Sequence, residues 1–150
     1  ALAEMQSLVA RSIQVKINII QEDPFDEGRR IFLNLGHTFA NAIEQQSGYT
    51  ISHGEAVAMG LVAAAHLSYR LDFCPGKVLE RVESVLQSVN LPTRIPVELE
   101  PTALISAMSS DKKKKAGKLR YVLLKNIGEV FVTDQVPEAA VLETLHQLRG

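Results

Sequence analysis

His37 and His53 are the side chains in this chain best suited to chemistry, because imidazole is the commonest protein ligand for a metal ion. They stand 16 positions apart in the stretch Arg30 to Gly60, RIFLNLGHTFANAIEQQSGYTISHGEAVAMG. Set on a helix at about 100° per residue, Arg30, Asn34, His37 and Asn41 recur at i, i+4, i+7 and i+11 and form one polar stripe. Phe32, Leu35, Phe39, Ala42 and Ile43 fall on the opposite side, as on a helix with one face in the core and the other lining a pocket. A solvated face usually carries Lys and Glu. This one carries directional hydrogen-bonding groups better suited to holding a ligand. Ser52 and Glu55 then spell the S-x-x-E capping box, which makes His53 the first residue of a second helix. There the macrodipole and free N–H groups are hostile to a cation, a setting that suits a metal-binding imidazole. Two imidazoles are one ligand fewer than a catalytic zinc normally takes from its protein.

The elements that must position these groups follow from periodicity. ALAEMQSLVARSIQVKINII has Leu2, Met5, Leu8, Val9, Ile13, Ile17 and Ile20 mostly at helical spacing, which predicts a helix to about Gln21, ended by Pro24. Lys16 lies on that helix between Val15 and Ile17, where a lysine can snorkel out of a core. The loop EDPFDEGR leads into the Arg30 helix, with Asp26 and Glu27 near its N-terminus where negative charge is favoured. Gly36 sits inside the predicted helix at a cost of about 1 kcal/mol relative to Ala, which a close backbone approach would justify. Gly48 is a C-cap candidate. The link to Ser52 is short, so the two histidine helices should be neighbours able to converge on one ion. AVAMGLVAAAHLSY is apolar nearly all round and should lie in the middle of the domain.

Beyond Cys74-Pro75-Gly76, KVLERVESVLQSV is an ordinary amphipathic helix, and LPTRIPVELEP, with three prolines, is an extended surface loop. Thr102 caps a short helix, ALISAMSS. DKKKKAGK, residues 111 to 118, places five lysines around a turn; a solvated loop and an anion site are both compatible with it. LRYVLLK and EVFVT, joined through Asn126-Ile127-Gly128, predict a β-hairpin. PEAAVLETLHQLR opens with Pro137 in a first-turn position and forms the last helix. His66 lies about 140° around its helix from His53, and His146 near the chain end, so neither joins the first two. The fold class is mainly α, one helical domain with one small β-hairpin.

Composition sets the outer bounds. The chain has 150 residues, 46% of them apolar, and a formal charge of -1, enough for one globular core and without a whole-molecule pull toward nucleic acid or membrane. A single cysteine, Cys74, excludes an intramolecular disulfide framework and a Cys-rich zinc site and is compatible with a reducing cytoplasm. No apolar run reaches membrane-spanning length. No G-x-G-x-x-G after a strand, Walker loop, G-x-S-x-G or H-E-x-x-H is present, so a dinucleotide or ATP fold is not encoded here.

The strings N-L-G-H-T-F-x-x-A-I-E and H-G-E-A-V-A-M-G-L, taken with Lys16 and Asp23, Gly28 and Arg30, the D-K-K of Asp111, Lys112 and Lys113, and G-K-L-R-x-V-L-L-K-x-I-G, resemble the 3-dehydroquinate synthases and, more widely, the sugar phosphate cyclases. The resemblance covers nearly the whole chain. It implies that residues 1–150 are the C-terminal helical metal- and substrate-binding domain, and that an N-terminal NAD-binding domain, with the active site in the cleft between the two, lies outside this chain. It further implies Zn2+ or Co2+ held by His37, His53 and a glutamate from an upstream motif this chain lacks. Lys16, Arg30, Asn34 and Lys112 or Lys113 would bind the carboxylate, hydroxyls and phosphate of a sugar phosphate. Asn41 stands where the family usually has a histidine, and keeps a hydrogen bond but cannot take up a proton near neutral pH. The implied reaction oxidises a substrate hydroxyl transiently with NAD+, eliminates phosphate, reduces the ketone and closes the ring by an aldol step. The full-length form would be a cytoplasmic homodimer in the shikimate pathway, and this fragment alone would be inactive. Other sugar phosphate cyclases, polyol dehydrogenase-like domains and a non-catalytic helical binding module are the alternatives.

Overall fold

The structure, a computed structural model, describes residues 2–25, 28–114 and 119–150, with the backbone alone for 111–114. Its elements in chain order are α1 (Leu2–Glu22), a 3-10 helix (Arg29–Asn34), α2 (His37–Gln46), α3 (His53–Arg70), α4 (Gly76–Ser88), α5 (Pro101–Lys114), β1 (Tyr121–Asn126), β2 (Glu129–Thr133) and α6 (Glu138–Leu148). The fold is mainly α with a two-stranded antiparallel hairpin, as periodicity predicts. Two compact units divide it, Ala1–Asn34 and Leu35–Gly150.

In the first unit, α1 forms over the expected span but buries none of its residues. Leu2, Met5, Leu8, Val9, Ile13 and Ile17 are all exposed. Helical spacing reports an apolar face, and within this unit that face is exposed. Lys16 accordingly stands on an exposed helix and does not snorkel from a core. After Pro24 the Asp23 carboxylate accepts the backbone N–H of Gly28 at 2.8 Å and of Arg30 at 2.9 Å. This closes the turn that launches the 3-10 helix. Asp26 and Glu27 lie outside the described residues.

The second unit is built around α3. Eleven of its 18 residues are buried, and α2, α4, α6 and β1 all pack on it, as its all-round apolarity predicts. Alanines fill much of its surface, so neighbouring backbones can approach closely. Buried Ser68 ties the helix to the hairpin: its Oγ donates to the Ala64 carbonyl at 2.6 Å and accepts the Leu124 N–H at 3.0 Å. Arg70 ties it to α6, with Nη1 on Glu143, Nε on Thr144 and Nη2 on Gln147. His66 is buried and pairs through Nε2 with Glu83 of α4 at 3.0 Å. Burial pushes the Cys74 thiol up from its ordinary value, which leaves it a packing residue.

Four further boundaries differ from expectation. The predicted Arg30 helix is two elements, because Gly36 adopts a left-handed conformation (φ 79°) as the N-cap of α2. Thr102 lies inside α5, which starts one residue earlier at Pro101, a residue whose missing N–H costs nothing in a first turn. The same helix runs on to Lys114, so Asp111–Lys114 is helical backbone and not a turn; residues 115–118 lie outside the described residues. The proline-rich stretch is irregular, yet Ile95 and Leu99 are buried. Ile95 donates to the Leu148 carbonyl at 2.9 Å and accepts the Gly150 N–H at 3.0 Å, which anchors the chain end. The hairpin pairs Tyr121 with Thr133 and Leu123 with Phe131, turning at Gly128 (φ 80°). α6 begins at Glu138, with Pro137 as its N-cap.

Candidate metal centre

Glycine sets the distance between the two histidine helices. A Cβ on Gly36 would lie 2.7 Å from Leu61 N and 2.9 Å from Gly60 C, and a Cβ on Gly60 would strike the Gly36 carbonyl oxygen. The close backbone approach anticipated for Gly36 is thus present. It works through an interruption of the helix at the start of α2, and not through a glycine inside a helix. His37 is the first residue of α2 and His53 the first of α3, so both imidazoles project from helix starts.

The α3 start is fixed by the capping box that the sequence spells. The Ser52 side chain accepts the Glu55 N–H, and the Glu55 carboxylate accepts the Ser52 N–H at 3.1 Å and its hydroxyl at 2.6 Å. These bonds, the side-chain one foremost, hold the Glu55 carboxyl below its ordinary value. The carboxylate half of the box is therefore complete above the usual carboxylate range and is lost as pH falls through the lowered pKa, while the Ser52 hydroxyl still accepts the Glu55 N–H.

The two rings face each other with centroids 5.6 Å apart and planes inclined by 59°. His37 Nδ1 lies 3.2 Å from the Leu35 carbonyl oxygen, and His53 Nδ1 lies 3.1 Å from Glu44 Oε2. Both partners only accept, so in each neutral ring Nδ1 carries the hydrogen and Nε2 keeps its lone pair. Zinc–nitrogen bonds of about 2.0–2.1 Å at a tetrahedral angle set the centroids of two ligating rings roughly 5 Å apart. The donor set and spacing therefore fit one divalent ion. Among the described residues no group of three His, Cys, Asp or Glu gathers into a metal cluster, so this chain's described side chains supply two donors.

The remaining expected site residues are placed as follows. Asn41 is exposed on α2, one turn after His37. The stripe of four survives only as this pair, since Arg30 and Asn34 belong to the separate 3-10 helix. Arg30 is half-buried, with its backbone held by Asp23 and Nη1 3.3 Å from the Pro24 carbonyl, while Asn34 is exposed. Lys16 is exposed on α1. Lys112 and Lys113 have helical backbone in the last turn of α5, and their side chains lie outside the described residues. Spacing gave no role to Glu44, although it closes the first motif string. Its signal was the i+7 offset from His37, which puts both on one face of α2.

Residues 1–114 match the family described as 3-dehydroquinate synthase C-terminal. The chain belongs to this family. It is 45% identical to the 3-dehydroquinate synthase of Xanthomonas campestris pv. campestris (strain 8004) and 42% identical to that of Xylella fastidiosa (strain M12), with 95% of the chain covered in each case. The chain spans about 40% of the length of these relatives. Solved structures repeat the fold. The 2-epi-5-epi-valiolone synthase of Streptomyces hygroscopicus subsp. jinggangensis 5008, with NAD+ and Zn2+ bound, superposes with a TM-score of 0.83 at 22% identity, over 95% of this chain and 39% of that one. A 2-deoxy-scyllo-inosose synthase complexed with carbaglucose-6-phosphate, NAD+ and Co2+ gives 0.85 at 22% identity, over 97% and 42%. Among the described residues no helix is long and apolar enough to cross a membrane.

Proposed function

We propose that this chain is the metal- and substrate-binding part of a 3-dehydroquinate synthase, which converts 3-deoxy-D-arabino-heptulosonate 7-phosphate to 3-dehydroquinate and phosphate in the shikimate pathway. One observation carries the reading: two imidazoles from the starts of neighbouring helices face each other at 5.6 Å, each held at Nδ1 by an oxygen. His37 and His53 hold Zn2+ or Co2+ through Nε2. The ion, when bound, supplies Lewis acidity toward substrate oxygens. The third protein ligand and the NAD+ site come from the part of the relatives that extends beyond this chain. The exposed apolar residues of α1 and the 40% span support that larger context.

The chain's own polar groups handle the substrate. Arg30, Lys16 and Lys112 or Lys113 bring positive charge to its carboxylate and phosphate, where charge-assisted hydrogen bonds are strongest. Asn34 donates to or accepts from hydroxyls, and Asn41, at the position of a family histidine near the phosphate, keeps a hydrogen bond there. Asp23, by gripping the Gly28 and Arg30 N–H groups, sets the turn from which Arg30 and Asn34 project. The complete enzyme works in the cytoplasm as a homodimer.

Metal analysis and turnover of the heptulosonate phosphate with NAD+ test the reading, on the 150-residue chain, on a version extended upstream, and on the extended version with His37→Ala or His53→Ala. The expected result is turnover in the extended form alone, one metal ion per chain, and loss of both in either histidine variant. Metal retained at full stoichiometry in both variants, or no turnover in any form, overturns it.

A further inference from the structure

Glu44 lies two turns beyond His37 on the same face of α2. Its side chain is 18% exposed and its Oε2 is 3.1 Å from His53 Nδ1. The helix end that carries it is pinned. The Glu44 carbonyl accepts the Tyr49 N–H at 2.8 Å and the Ser47 hydroxyl at 3.0 Å, and Gly48 and Tyr49 both turn through positive φ. The chain thus reverses on a fixed corner and delivers His53, whose side chain is 60% exposed, to a half-buried carboxylate. An exposed imidazole at a helix start is otherwise free to rotate and to exchange tautomers. His37 needs no such partner, because the Leu35 carbonyl holds its Nδ1.

We propose that Glu44 is a positioning residue of the metal centre: its carboxylate holds His53 as the Nδ1–H tautomer and aims Nε2 at the ion. This rests on His37 and His53 being the ligands, as set out above. A carboxylate behind a ligating histidine orients the ring and raises its basicity, and removing such a partner typically weakens metal binding by about tenfold to a hundredfold. The competing description is a tie that merely joins the end of α2 to the start of α3. That tie would affect unfolding and would set the same tautomer, but it would leave the ion's affinity unchanged.

Cobalt(II) titration of the intact protein against a competing chelator, followed by visible absorption, compares the wild type with Glu44→Ala, Glu44→Gln and His53→Ala. Affinity is expected to fall about tenfold to a hundredfold in Glu44→Ala. It should fall less in Glu44→Gln, whose amide oxygen still accepts from Nδ1–H. In the metal-free protein, imidazole nitrogen NMR shifts should report Nδ1–H at His53 in the wild type and Glu44→Gln, and movement toward Nε2–H in Glu44→Ala. Unchanged affinity in Glu44→Ala, whatever the tautomer, with binding lost in His53→Ala, overturns the role of Glu44 and leaves the two ligands standing. Unchanged affinity in His53→Ala overturns the metal centre itself. If Glu44→Ala does not fold, the isosteric Glu44→Gln decides. A wild-type tautomer with affinity within about tenfold supports positioning, and a loss as deep as in His53→Ala overturns it by making Glu44 a ligand.

Discussion

Tyr121 shows how a single side chain sets a pH limit on this fold. Its ring is buried at the start of β1, 5.9 Å from Phe39 of α2. Burial, aided by the nearby Glu138 carboxylate, pushes its hydroxyl up to about 12 from an ordinary 10.0. The folded chain therefore keeps the Tyr121 proton after the unfolded chain has lost it. This contribution to stability is complete below pH 10 and is lost as pH rises toward 12, on the order of 2 kcal/mol over that window. Tyr121→Phe should flatten this part of the alkaline limb in chemical denaturation between pH 9 and about 11.5, at little cost near neutrality. An identical alkaline decline in the variant would contradict the assignment. At the same scale, residue type and the capping box make His37 and His53 legible in the sequence as a candidate pair, whereas Glu44 is not. Its i+7 offset from His37 marks a shared face of α2, but its partner is nine residues away across a helix reversal, and spacing along one helix does not show that contact.

Between elements, the decisive feature is the crossing of α2 and α3 at Gly36 and Gly60. Backbone meets backbone there, so an added methyl cannot be relieved by turning a flexible side chain. Gly60→Ala has the better helix propensity by about 1 kcal/mol. It is nevertheless expected to destabilise the chain by about 1–3 kcal/mol through overpacking, seen as a lower midpoint in urea at unchanged slope. A neutral or raised midpoint would mean the helices separate freely, and the ring spacing would then not depend on this contact. The capping box and the short reversal were readable in sequence because they are local. The break at Leu35–Gly36 was not. Arg30, Asn34, His37 and Asn41 keep perfect helical spacing, yet the Gly36–Gly60 contact and a left-handed Gly36 set α2 apart from the 3-10 turn.

For the whole molecule, the telling contrast is between α1, which buries nothing, and α3, most of which is buried. α1 carries an apolar stripe at helical spacing, and α3 is apolar nearly all round. Replacing exposed Leu8 and Ile13 together by Gln should leave the unfolding free energy of this chain within about 0.5 kcal/mol of the wild type, because both side chains stay more than half exposed in the folded chain. A large loss in the 150-residue chain itself, measured by thermal or urea unfolding, would show these side chains covered within it.

The amino-acid order by itself determined what is local or repeated along the chain: the helices, the hairpin with its glycine turn, the capped start at His53, the buried character of α3, and the two imidazoles as one candidate pair. Tertiary structure decided what depends on distant segments meeting. It set the 5.6 Å separation of the rings, the Glu44 hydrogen bond behind one of them, the glycine crossing that splits the predicted stripe, and which of two apolar helices is core. Periodicity tells which face of a helix is apolar, but only packing tells whether anything lies against it.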